Sequence, residues 1–149
     1  MKDSQIGCRY REEEKVAYKI LIIDDDYDIV EAMRMTLEAN GYTVHTAASG
    51  KEGLARVKEV EPDLIILDVM MEEDTAGFRV AWELRNPDPK SEYDRFRKTP
   101  VMMITAIAEK KGMHFDPKKD GDFLPVDEFI SKPIMPKALL EKVRALLLR

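Results

Sequence analysis

Three short apolar runs set the rhythm of this chain. Leu64, Ile65, Ile66 and Leu67 follow the turn dipeptide Glu61-Pro62 without a polar interruption. An unbroken run of this length reads as a strand buried on both faces, the kind found inside a parallel sheet. Ile20 to Ile23, after Lys19, reads the same way and is rich in β-branched residues, and Val101 to Ile104 follows Pro100. Two weaker strands are predicted over residues 42–47, less apolar and so nearer an edge of the sheet, and over residues 128–131.

Between these runs the apolar period lengthens to that of a helix. Ile29, Val30, Met33 and Leu37 line one face, with Asn40-Gly41 as the stop. Ser49 is placed to cap a helix over residues 51–60, with Leu54, Val57 and either Val60 or Glu61 turned inward. Phe78, Ala81, Trp82 and Leu84 give the face of a third helix that stops near Asn86-Pro87, with Trp82 assigned to packing. Ala138, Leu139, Val143, Leu146 and Leu147 mark a closing helix, and Met33, Met35, Met102 and Met103 are read as core filler.

Two connections are long. Residues 86–99 are polar but place Tyr93 and Phe96 to tuck against the body. Residues 107–127 are punctuated by Gly112, Pro117, Gly121 and Pro125, so a fourth helix there is expected to be irregular or shortened, beyond a turn around residues 108–111. Residues 1–18, charged in both signs, read as a polar N-terminal arm, and residues 19–149 as one domain. Strands alternating with helices imply a parallel sheet covered on both faces, an α/β fold with right-handed crossovers.

The 149 residues are long enough to bury one core. A net charge of −5 argues against broad binding of nucleic acid or acidic membranes, which needs a cationic field. Cys8, the single cysteine, excludes an internal disulfide, and no signal peptide or long apolar span is recognisable, so a cytoplasmic protein is expected. His45 and His114 show no ligand-like spacing and receive no role.

In open α/β sheets ligands bind beyond the carboxyl ends of the strands. Here those ends carry Asp24, Asp25 and Asp26 after the first strand, Asp68 after the third, Thr105 after the fourth and Lys132 after the fifth. Asp68 alone would fit a helix cap equally well; its company points to a site. No Gly-rich phosphate fingerprint follows the first strand, which argues against a dinucleotide. Two carboxylates about 4 Å apart repel by about 4 kcal/mol at an effective dielectric of about 20, so the cluster calls for a cation. Magnesium suits it, being held by one or two carboxylates, waters and a substrate phosphate. Lys132 and the Thr105 hydroxyl can engage phosphoryl oxygens, and a carboxylate can attack phosphorus to form an acyl phosphate.

Residues 20–26, 62–71, 100–106 and 129–133 closely resemble the receiver domain of two-component response regulators, over roughly residues 19–148. The resemblance implies a flavodoxin-like doubly wound sheet of strand order 2-1-3-4-5 and phosphorelay signal transduction rather than a separate enzymatic activity. It implies that Asp68 is the phosphoacceptor, Asp25 a direct magnesium ligand, Asp24 a ligand acting largely through water, and Met70 a ligand through its backbone carbonyl. Thr105 becomes the switch hydroxyl, Phe129 the aromatic switch, Lys132 the phosphate-binding cation, and Lys132-Pro133 a cis bond. The implied donor is a histidine kinase or a histidine phosphotransfer protein, with an unknown downstream protein.

The chain also departs from the family pattern. Met71-Glu72 stands where Met-Pro is usual, and Ala76-Gly77 where Asp-Gly is usual. The irregular segment 107–127 predicts a remodelled output surface instead of the common dimer face. No output domain follows the closing helix, which leaves a stand-alone receiver and an excised one open.

Three rival readings remain. Asp24-Asp25-Asp26 also spells the Asp-x-Asp of a haloacid-dehalogenase-like phosphatase, although Asp28 stands where Thr or Val belongs and no acidic pair follows Lys132. Asp24, Asp26 and Asp28 mimic the start of a calcium loop, but Ile29 occupies its glycine position. A receiver-like interaction module without the chemistry is the third.

Overall fold

The computed structural model describes residues 17–69, 76–105 and 126–148. Its strands are β1 (Lys19–Ile23), β2 (Thr43–Ala47), β3 (Leu64–Asp68), β4 (Val101–Thr105) and β5 (Glu128–Ser131). Its helices are α1 (Tyr27–Glu38), α2 (Gly50–Val60), α3 (Ala76–Leu84) and α4 (Pro136–Leu147), with a 3-10 turn at Asp94–Phe96. The strands pair in parallel in the order β2-β1-β3-β4-β5, the expected 2-1-3-4-5.

The unbroken apolar runs are explained by two cores, one on each side of the sheet. Leu21, Ile23, Ile65, Leu67 and Met103 face α2 and α3. Their alternate neighbours Ile20, Ile22, Leu64, Ile66 and Met102 face α1 and α4. Every residue of β3 is buried, because strands flank it on both edges and helices cover both faces. β2 forms one edge and is only partly buried, as its weaker pattern implied.

Local chemistry sets the helix ends. The Asp26 carboxylate accepts from the backbone N–H of Asp28 and Ile29 at 3.1 and 3.3 Å, capping α1. The Ser49 hydroxyl accepts from the Glu52 N–H at 3.0 Å, so α2 begins at Gly50, one residue earlier than expected. Val60 faces inward, whereas Glu61 is exposed and closes α2 in the left-handed region at φ 53°.

Two assignments to the core are corrected. Trp82 is 55% exposed: the buried stripe of α3 is Gly77, Val80, Ala81 and Leu84, spaced i, i+3, i+4, i+7, and Trp82 falls off it. Met35 is 69% exposed for the same reason, the α1 stripe being Val30, Met33 and Leu37. The other three methionines are buried as expected.

Residues 86–99 are tied down at both levels. Tyr93 and Phe96 are buried in the core on the α2 and α3 side. Outside it, Lys58 pairs with Glu92 and lies 5.4 Å over the Tyr93 ring, and Arg95 pairs with Glu61 at 3.1 Å. At the amino end of the sheet one Asp127 oxygen accepts from the Val101 N–H at 2.8 Å and from Arg85 at 2.7 Å, joining β4, α3 and the approach to β5. The expected turn at 108–111, the irregular fourth helix, the acidic loop after Asp68, Cys8, His114 and nearly all of the N-terminal arm lie outside the described residues.

Candidate functional site

Register assembles the site. Ile23 pairs with Leu67 across β1 and β3, so Asp24 and Asp68 emerge side by side at the carboxyl end of the sheet. Asp68 pairs in turn with Ile104, and Thr105 with Ser131, which puts Lys132 one residue beyond. The Asp24 N–H donates to the Ala47 carbonyl at 3.0 Å, fixing the β1 exit against the end of β2.

Asp24 and Asp68 are 2% and 4% exposed, while the adjacent Asp25 faces solvent. One carboxylate oxygen from each of the three lies within 4.8 Å of the others. The Asp24 Oδ1 accepts from the Asp26 N–H at 2.9 Å, and its buried Oδ2 meets no donor among the described residues. Burial, and secondarily the Asp68 carboxylate, push the Asp24 carboxyl up to about 7, against the opposing pull of the Asp26 N–H and Lys132. A buried oxygen without a donor beside two further carboxylates is a donor set that fits a hard cation with retained waters, namely Asp24, Asp25 and Asp68 for magnesium.

Lys132 Nζ stands 3.5 Å from Asp68 Oδ2, an ion pair at the long limit of hydrogen bonding, and the Lys132-Pro133 bond is cis. Phe129 is partly buried against the α2 and α3 core. Thr105 ends β4 at the expected place, with its side chain outside the described atoms, and Met70 is likewise outside them. Asp26, grouped with the site by its position in sequence, serves as the α1 cap instead.

Two hollows border these residues. A cleft of about 180 Å³ opens beside Asp24 and Asp25, lined also by Tyr27, Thr46 and Glu52. An apolar hollow of about 480 Å³ lies between α1 and α4, lined by Ile29, Met33, Ile134 and Leu139, with Lys132 at its edge. Gly77, at the first turn of α3, touches the main chain of Asp68, a contact the sequence reading did not foresee.

Comparison with known proteins agrees with this geometry. The chain is 36% identical over 131 residues to the alkaline phosphatase synthesis transcriptional regulatory protein PhoP of Bacillus subtilis, covering 88% of this chain and 49% of that protein. It is also 36% identical over 131 residues to the DNA-binding dual master transcriptional regulator RpaA of Synechocystis, with the same coverage. The chain thus spans about half the length of these relatives. The chemotaxis protein CheY4 of Vibrio cholerae superposes with a TM-score of 0.71 at 30% identity, covering 88% of this chain and 99% of that one. The receiver domain of Francisella response regulator 1452 gives 0.70 at 26%, covering 87% and 96%. Neither the phosphatase nor the calcium-loop reading is favoured by these matches. The response regulator receiver domain model matches residues 20–144, and the chain belongs to that family.

Proposed function

We propose that this chain takes part in phosphorelay signalling as a magnesium-dependent receiver, with residues 19–149 as the receiver domain and Asp68 as the acceptor. The observation that carries this reading is the convergence of three carboxylates within 4.8 Å with Lys132 3.5 Å from Asp68. An Asp68 oxygen attacks the phosphorus of a phosphohistidine; the new P–O bond forms as the P–N bond breaks, and the imidazole leaves with the electron pair. Magnesium, when held by Asp24, Asp25, Asp68 and the Met70 carbonyl, supplies charge neutralisation for the phosphoryl oxygens. Lys132 exchanges its long contact with Asp68 for a phosphoryl oxygen, and the Thr105 hydroxyl donates to another. Thr105 and Phe129 then carry the change toward the 107–127 segment and an unidentified downstream protein.

The donor in this proposal is a histidine kinase or histidine phosphotransfer protein in the cytoplasm. The apolar hollow bordering Lys132, with exposed Tyr27 and Met135 at the amino ends of α1 and α4, supports docking of a protein donor rather than a small one alone. Among the described residues no helix is long and apolar enough to cross a membrane. Direct contact with nucleic acid is not part of the proposal, given the net charge of −5.

The test is phosphorylation by acetyl phosphate or a phosphorylated kinase in magnesium, followed by mapping of the modified residue. Label on Asp68, lost in Asp68→Ala and sharply reduced in Asp25→Asn, is the expected result. Equal labelling of wild type and Asp68→Ala would remove the assignment.

A further inference from the structure

The first turn of α3 rests directly on the strand that presents Asp68. The Gly77 N–H donates to the Val69 carbonyl at 2.9 Å. A β-carbon placed on Gly77 would stand 2.1 Å from the Asp68 carbonyl oxygen, 2.6 Å from Val69 Cα and 2.8 Å from the Asp68 carbonyl carbon. All three are main-chain atoms, so no change of rotamer can make room. Non-bonded carbon and oxygen atoms settle near 3.5 Å, and a side chain here requires helix and strand to part by about 1 Å or more. Gly77 does not lie in the left-handed region. It is there for space, not for backbone freedom.

Neither partner can give way without disturbing the site. Asp68 is paired with Ile104 in the ladder, and the Val69 N–H donates to the Ile104 carbonyl at 3.0 Å. If the strand yields, the Asp68 carboxylate shifts against Asp24 and Lys132. On the other side, α3 is seated by the buried Val80, Ala81 and Leu84. If the helix yields, the Gly77 to Val69 bond is lost, and with it the tether of the chain just before Met70.

We infer that Gly77 is a positioning residue for phosphoryl acceptance: its bare Cα lets α3 bear on the main chain of Asp68 and Val69 and so sets where the Asp68 carboxylate stands. The inference rests on Asp68 being the acceptor. Gly53 is the natural control. It too is tightly packed, with a β-carbon falling 2.6 to 2.9 Å from Ile23, but there the neighbours are side-chain atoms and the contact belongs to α2 and β1.

The experiment compares the 149-residue wild type, Gly77→Ala and Gly53→Ala in magnesium and acetyl phosphate. The readouts are initial phosphorylation rate, thermal melting and the fluorine spectrum of the beryllofluoride adduct. Misplacement of a reacting group by about 1 Å can cost on the order of 100-fold. Gly77→Ala is therefore expected to be labelled about 10- to 100-fold more slowly at a temperature where it is fully folded, with displaced or absent fluorine signals. Gly53→Ala is expected to melt lower yet keep a rate within about threefold of wild type. A Gly77→Ala rate within threefold of wild type overturns the inference, and so does an equal loss in both variants, which would mean that general loosening is responsible. If Gly77→Ala does not fold, the rate is measured after trimethylamine N-oxide restores the fold: a slow rate supports the positioning role and a wild-type rate overturns it. Label on wild type at a residue other than Asp68 overturns the acceptor assignment and the positioning role together, and is seen before any variant is made.

Discussion

The charge on Asp24 makes the stability of this domain depend on pH in a direction that can be worked out. Burial, with help from Asp68, raises its carboxyl from 3.8 to about 7. Between those values the folded chain holds a proton that the unfolded chain releases, so the contribution of Asp24 to the metal-free fold is most favourable at the acid end of the window. That contribution falls as pH rises to about 7 and then levels off. At about 1.4 kcal/mol per unit, roughly 3 kcal/mol of this falls between pH 5 and pH 8, or about 10 °C in Tm for a domain of this size. His45 works in the opposite sense. Partial burial and the nearby Arg56 and Lys19 lower its pKa, so its contribution recovers as pH rises through the ordinary histidine range. Subtracting the melting curve of Asp24→Asn removes that background. The expected result is a difference, wild type minus variant, that falls by about 10 °C from pH 5 to pH 8 in chelator and is largely restored by excess magnesium, which binds the ionised cluster. A difference that stays flat, or that rises with pH, would refute the argument.

Two further outcomes concern the frame around the site. Asp127→Ala removes the acceptor for both the Val101 N–H and Arg85 and should cost about 2 to 4 kcal/mol in urea unfolding; a loss under about 0.5 kcal/mol would mean that water replaces the carboxylate freely. Phe96→Ala should cost about 3 to 4 kcal/mol because the ring is buried, whereas Arg95→Ala, which breaks an exposed pair with Glu61, should cost under about 1 kcal/mol; the reverse order would show that ion pairs, not the core, hold residues 86–99.

The sheet was legible because its central strands are apolar on both faces, and the site because three of those runs stop at Asp24, Asp68 and Thr105. Hydrophobicity alone misled at Trp82 and Met35, where the 100° step of the helix outweighs the character of the side chain. It was blind to Gly53 and Gly77, which occupy buried stripes because a helix must approach a strand closely there. Nor could it separate three successive aspartates. Asp24 is buried with one oxygen that meets no donor among the described residues, Asp25 faces solvent and Asp26 caps α1, distinctions created by where the chain turns as it leaves β1. The readings of Thr105 as a switch and of Met70 as a carbonyl ligand draw on the family and not on any periodicity in the chain.

The order of strands has a consequence for when the domain becomes competent. Among the described residues Asp24 leaves the first strand in chain order and Lys132 the last, and β5, which presents Lys132, is an edge strand held by its ladder to β4. A nascent chain that has reached β4 already carries every carboxylate of the cluster but lacks the cation that faces Asp68. The same holds for a finished chain whose last strand and helix fray for a moment, an excursion that costs less than global unfolding. For the acceptance proposed at Asp68, docking of the last strand is then a requirement, because only a chain in which it is seated brings Lys132 to 3.5 Å from the Asp68 carboxylate.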